Sequence, residues 1–339
     1  MSGTINTAQF SEQLRARAID TAGRRVLISR LRGSDQEDDL QLPANCSGFG
    51  RIRHFKMATA PGWPANPLPI IPACAALGLP APDVMTAQVF QNAACAWRCW
   101  YCFVPYNLLK ADPLRSEWFT AEQLVTLYTA EEDRPLIIDL SGGSPDLVPE
   151  WTVWMMEALE SAGLSTSTFL WTDDNLSTSY LFDKLDRQQL DRLTDYRNYG
   201  RVCCFKGFDA ASFSFNTRAA EGDLEKQFAI MGRLLDLGLD TYGYITLTGP
   251  GPTGIEAKMD ALFDRLQTLD PNLPLRIIPL EIRAFSPMEA RMTDRHHESL
   301  EVQALAIAAW NANIERRFDA EVRAKAISNV PLRTRGWNT

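Results

Sequence analysis

The chain has 339 residues, 45% hydrophobic and 22% charged, a composition that excludes wholesale disorder and suits one large α/β domain with extensions or two small domains. A formal net charge of -8 argues against a general nucleic-acid binder, because neutralising phosphates needs a surplus of Lys and Arg on one face. The most apolar stretch, Leu68 to Pro82, is cut repeatedly by proline, so no run is long and apolar enough to span a membrane.

The opening residues, Met1-Ser2-Gly3-Thr4-Ile5-Asn6, lack the basic region and apolar core of a secretion signal. Residues 1–84 read as an N-terminal extension, a candidate lid over the rest. It holds a helix near Gln9 to Ala18, an acidic loop at Asp35 to Asp39 and a proline-rich segment from Pro61 to Pro82. Within it, Asn45 to Phe55 combines glycines with Arg51, Arg53 and His54. It reads as a structural turn, or as a capping loop whose cations reach an anionic group.

From Thr86 the pattern changes to short apolar or β-branched runs, each followed by an amphipathic stretch, the mark of βαβ units and a parallel sheet. Six strands are predicted: Ala87 to Gln91, Leu136 to Leu140, Ser167 to Trp171, Arg201 to Phe205, Thr241 to Leu247 and Leu275 to Ala284. Between them, Thr120-Ala121-Glu122-Gln123 is a capping box that opens a helix. The helix carrying Trp151, Trp154, Met155 and Leu159 stops at Gly163, and the helix carrying Leu224, Phe228 and Met231 stops at Gly238. A further stripe holds Met259, Leu262, Phe263 and Leu266, and Glu298 to Phe318 is a long last helix within a C-terminal helical region, 291–339. Arg316, Arg317, Arg323, Lys325, Arg333 and Arg335 in that region form either a solvated face or a local basic patch.

The most informative segment follows the first core strand: Cys95-Ala96-Trp97-Arg98-Cys99-Trp100-Tyr101-Cys102. A Cys-x3-Cys-x2-Cys run lets one short loop reach three corners of a four-iron cluster and leaves the fourth iron without a protein ligand. Zinc and buried, inert thiols are the other readings. Zinc usually takes four ligands in two close pairs, and no second Cys-x2-Cys or His-x3-His partner stands elsewhere in the chain. Seven cysteines in a chain without a targeting signal imply a reducing cytoplasm.

This motif, with Tyr101 in its aromatic slot, resembles that of the radical S-adenosylmethionine (SAM) superfamily. The resemblance implies that Cys95, Cys99 and Cys102 hold a [4Fe-4S] cluster whose open iron is chelated by the amino and carboxylate groups of SAM. Reductive cleavage of SAM then yields a 5′-deoxyadenosyl radical that abstracts hydrogen from a substrate. It also implies a partial (β/α)6 TIM-like barrel over residues 85–290, with the active site at the C-terminal rim of the strands.

Further residues acquire roles from the same resemblance. Gly142, Gly143, Ser144 and Pro145 stand where the family has a Gly-Gly-Glu-Pro motif that contacts the amino group of SAM, with Ser144 replacing the acid. Asp174 and Asn175 end the third strand and are candidates for the ribose or methionyl part. Lys206 resembles the carboxylate-binding lysine of glycyl-radical-enzyme activating enzymes, although Cys204 stands where their aspartate would. Gly243 to Gly249 lies where the family contacts adenine. Glu281 and Arg283, on one face of the last strand, are candidate catalytic residues toward substrate, or simply pair with each other.

The expected function is therefore a cytoplasmic radical SAM enzyme acting on an unknown small molecule or peptide, served by a flavodoxin or ferredoxin-type electron donor. A glycyl-radical activase and a non-enzymatic iron–sulfur redox sensor are the alternatives. Cys46, Cys74, Cys203 and Cys204 raise the question of a second cluster, which the opposite facing of Cys203 and Cys204 on a strand disfavours. His296 and His297, beside a helix start, are expected at the surface.

Overall fold

The computed structural model describes residues 4–59, 65–284 and 288–332. Pro61, Arg333 and Arg335, singled out above, lie outside the described residues. The chain forms an α/β structure of two compact units, one comprising Ala8–Ala96 with Val104–Arg201, the other Met1–Thr7, Trp97–Phe103 and Val202–Thr339.

The unit built on Ala8–Ala96 and Val104–Arg201 opens with helix α1 (Thr7–Ala18). Strands β1 (Ile19–Asp20) and β2 (Arg25–Ser29) follow, then β3 (Gly50–Lys56), helix α2 (Ile70–Leu77), β4 (Val84–Phe90) and β5 (Ser116–Thr120). Helix α3 (Ala121–Thr129) starts at the predicted capping box, with Thr120 and Gln123 bonding reciprocally. After it come β6 (Ile137–Leu140), α4 (Glu150–Ser161), β7 (Phe169–Asp174), α5 (Tyr180–Lys184) and α6 (Arg187–Asp195). Strand β8 (Tyr199–Phe205) begins in this unit and ends in the other.

Two sheets result. Strands β1, β2 and β5 form a small antiparallel one. In the larger sheet the order is β8-β7-β6-β4-β3, with β4–β6 and β6–β7 parallel. Strand β3 runs antiparallel along the full length of β4, from Gly50 opposite Phe90 to Lys56 opposite Val84. The segment 45–55, read from sequence as a turn or capping loop, is thus largely an edge strand of the main sheet. Two arginines on one of its faces conceal the alternation of an ordinary half-buried strand.

In the second unit β8 is followed by α7 (Ala210–Thr217), α8 (Asp223–Leu237), β9 (Thr241–Thr246), α9 (Ile255–Leu269), β10 (Ile277–Leu280), α10 (Asp294–Arg317) and α11 (Ala320–Arg323). The strand order is β10-β9-β8, and β9 and β10 are parallel. Gly238 adopts the left-handed conformation that ends α8, as its position predicts. The last strand is shorter than predicted because Leu273–Arg276 forms a 3-10 turn and the ladder stops at Leu280. Arg316 and Arg317 pair with Asp260 and Asp264 of α9 at 2.5 Å each, so these two cations are neutralised along a helix pair. No helix among the described residues is long and apolar enough to cross a membrane.

Candidate functional site

In the first unit the chain leaves β4 through Gln91 and Asn92, both fully buried, and reaches Cys95. The turn after β6 folds against this segment. The Ser144 amide donates to the Ala94 carbonyl at 2.7 Å, and Asn92 Nδ2 donates to the Ser144 carbonyl at 2.9 Å. The approach is close enough to require glycine. Gly143 has φ +67°, and a Cβ there would stand 2.3 Å from the Asn92 oxygen and 2.5 Å from the Ala94 oxygen.

Ser144 directs its hydroxyl at the Cys95 sulfur at 3.2 Å and accepts from Asn175 Nδ2 at 3.0 Å. Asn175 Nδ2 also donates to the Gly143 carbonyl at 2.8 Å. The predicted residues Gly143, Ser144 and Asn175 are therefore brought together around Cys95, with Gly142 also at positive φ and Pro145 starting a 3-10 turn. Hydroxyl donation to a sulfur lowers its electron density, which is how protein surroundings tune a thiolate ligand.

Asp174 ends β7 inside a buried network. Its carboxylate pairs with Arg201 at 2.5 Å, both side chains almost wholly buried, and accepts from the Leu176 amide at 2.7 Å. Arg201 Nε also donates to the Tyr199 hydroxyl, which bonds Thr172. This network ties β7 to β8. Beside it, burial and the Asp174 charge push the Asp146 carboxyl up to about 6, although Ser177 and Asn175 donate to it.

In the second unit a turn from the Cys102 amide to the Cys99 carbonyl, 3.1 Å, sets the last two cysteines. The Tyr101 hydroxyl accepts from Thr246 Oγ1 of β9 at 2.9 Å. Burial, then the nearby Cys99 charge, raises its pKa well above the ordinary phenol value. Asn216, on α7, is the hub here. It accepts from Trp100 Nε1 at 3.1 Å and from Thr248 Oγ1 at 2.7 Å, and donates to the Lys206 carbonyl at 2.8 Å. Lys206 is buried and not a surface lysine, and its amide donates to Gln227 Oε1 at 3.0 Å.

Arg291 donates to the Cys102 carbonyl, and the His296 ring stacks on Trp100 with centroids 4.6 Å apart and planes 10° from parallel. His296 is thus half-buried, against the surface position expected, whereas His297 is exposed. Burial, then the Arg295 charge, lowers the His296 pKa. Sequence reasoning missed Asn216 and Arg291, whose partners lie far along the chain and leave no local signal. A histidine two residues into a capped helix gives equally little.

Glu281 and Arg283 lie just beyond β10 and pair with each other at 2.9 Å, each substantially exposed. Between them Ile282 is fixed by two backbone bonds to Gln303 of α10. Gly243 packs against Ile277 of the neighbouring strand.

None of the seven cysteines is disulfide-bonded, and among the described residues no three His, Cys, Asp or Glu side chains stand grouped as metal ligands. The donor chemistry at the run nevertheless suits an iron–sulfur cluster: three soft ligands on irregular backbone, a hydroxyl on one sulfur and a glycine cradle beside it. Of the remaining cysteines, Cys46 is buried beside Glu131, and burial first, then that charge, pushes its thiol up to about 12. Cys203 is fully buried on β8 and Cys204 half-buried. No protein-family model matches the chain, and no curated protein matches it.

Proposed function

We propose that the protein is a radical SAM enzyme with one [4Fe-4S] cluster on Cys95, Cys99 and Cys102. The observation that carries this reading is the Cys-x3-Cys-x2-Cys run on the loop after β4, with the Ser144 hydroxyl at 3.2 Å from the Cys95 sulfur and the Gly142–Gly143 turn beside it. The succession of β4, β6, β7, β8, β9 and β10, each followed by a helix before the next, supports a partial (β/α)6 barrel as the finer description of the fold.

When bound, the cluster and SAM supply an electron-driven cleavage whose 5′-deoxyadenosyl radical abstracts hydrogen from the substrate. The chain's own residues bind and orient. Cys95, Cys99 and Cys102 are the thiolate donors; Ser144 tunes Cys95 through its hydroxyl. Gly142 and Gly143, half-buried, are the backbone turn for the methionyl end of SAM, and buried Lys206 is the cation for its carboxylate. A flavodoxin or ferredoxin-type protein is the electron donor, and the setting is cytoplasmic.

Anaerobic reconstitution with iron and sulfide, followed by dithionite and SAM, tests the reading. The expected result is a brown protein that forms 5′-deoxyadenosine, with both properties abolished in Cys99→Ala. A stable cluster that never cleaves SAM overturns the enzyme reading in favour of a redox sensor. Cleavage that survives in Cys99→Ala overturns the ligand assignment.

A further inference from the structure

A second polar cluster lies within the first unit, on strands β3, β6 and β7, its Asp173 bonded by Ser141 just ahead of the Gly142–Gly143 turn. Register places its members on one face of the sheet: Arg51 pairs with Val89, Val89 with Asp139 and Asp139 with Trp171, while Arg53 and Asp173 stand two residues along their strands from Arg51 and Trp171. Arg51 is buried and Asp139 has no exposed surface, whereas Arg53 and Asp173 are half-buried and open the cluster to solvent.

Two contacts within it are direct. Arg53 Nη1 lies 3.3 Å from Asp139 Oδ2, and the Ser141 hydroxyl donates to Asp173 Oδ2. Asp139 Oδ1 and Asp173 Oδ1 are buried and accept no hydrogen bond from any described residue. Buried acceptors are nearly always satisfied, and an unsatisfied carboxylate oxygen costs about 1–3 kcal/mol or more. Two on one small patch call for a donor beyond the described residues, which a bound ligand would supply. Burial, then the Asp173 charge, also pushes the Asp139 carboxyl up to about 7 against the opposing pull of Arg53 and Arg51.

We infer that this cluster is a subsite for a zwitterionic ligand of the α-amino-acid class, its ammonium donating to Asp139 Oδ1 and Asp173 Oδ1 and its carboxylate facing Arg51 and Arg53. Once a ligand's ammonium favours the ionised form of Asp139, two guanidinium groups and two carboxylates sum to zero charge, so a ligand that is itself neutral overall but carries both signs fits without leaving a buried charge uncompensated. The geometry does not suit a phosphate, which would set its charge against both aspartates. Calling the ligand the substrate rests on the radical SAM reading; its binding does not.

Saturation-transfer NMR on the full chain, without reductant, against an equimolar mixture of the common protein amino acids tests the inference. At least one amino acid is expected to bind, and its N-acetyl and methyl-ester derivatives to bind about tenfold more weakly or worse. Asp139→Asn, nearly isosteric, is expected to remove the penalty of N-acetylation while keeping that of esterification. Absence of binding by every amino acid overturns the proposal, as does binding indifferent to both blocking groups. Displacement of the bound amino acid by SAM also overturns it, since the subsite would then belong to SAM. Because no step of this assay depends on SAM cleavage, its failure is distinct from failure to form 5′-deoxyadenosine.

Discussion

Gly143 and Ser144 show how much one position settles. Where the radical SAM motif that the sequence resembles has an acid, this chain has a serine whose hydroxyl is directed at the sulfur of Cys95. Gly143 sits where backbone oxygens of Asn92 and Ala94 leave no room for a Cβ, at a φ that other residues adopt only with strain. Gly143→Ala is therefore expected to destabilise the protein by about 2 kcal/mol or more and to lower iron retention after reconstitution. Urea midpoints and iron content check this; an unchanged midpoint would show that the turn after β6 is not held against the cysteine loop. The glycines were legible as a turn after a strand, but the role of Ser144 was not, because its partners Cys95 and Asn175 are set by strand neighbours and not by spacing.

At the scale of elements, strands carry charge in this protein more than the sequence suggests. Strand β3 holds Arg51 and Arg53, and β7 ends in two aspartates that face opposite ways: Asp173 toward Ser141, Asp174 toward Arg201. Alternation along the strand turns Asp173 toward the cluster proposed for a ligand and Asp174 toward Arg201. Asp174→Asn leaves Arg201 buried with an uncompensated charge, so a loss of about 3–5 kcal/mol is expected in denaturant unfolding. A loss near zero would mean that the other partners of Arg201, Tyr199 among them, satisfy the guanidinium. The helices were more legible, since capping boxes and glycine stops, as at Thr120 and Gly238, act within a few residues. The arginines of β3 hid that strand because a buried cation resembles a surface residue until its partners on other strands are known.

For the molecule as a whole, the buried carboxyls set an unusual dependence of stability on pH. Asp139 and Asp146 hold their protons to about 7 and about 6 in the folded chain, against an ordinary aspartate near 3.8 in the unfolded one. Between about pH 4 and 7 the folded state thus binds more protons than the unfolded state, and stability falls as pH rises through that window. Urea midpoints are expected to be higher at about pH 5 than at about pH 8, and Asp139→Asn to flatten that difference. A midpoint that rises with pH over this range would mean that Asp139 is ionised in the fold. An amino-acid ligand at the Asp139 cluster would oppose the trend, because its ammonium favours the ionised carboxyl.

By itself the sequence determined the α/β class, the six strands that became β4 and β6 to β10, the helices α3, α4, α8, α9 and α10, and the close spacing of three cysteines, because periodicity, caps and residue spacing are local properties written over a few residues. Tertiary structure decided which polar residues meet: Ser144 with Cys95, Asn216 with Trp100 and Lys206, and Asp174 with Arg201. It also turned residues 50–56 from a loop into a strand and gathered Arg51, Arg53, Asp139 and Asp173 on one sheet face. The reason is that such meetings depend on strand order and register, which pair residues distant in the chain and leave no trace in the spacing of either partner.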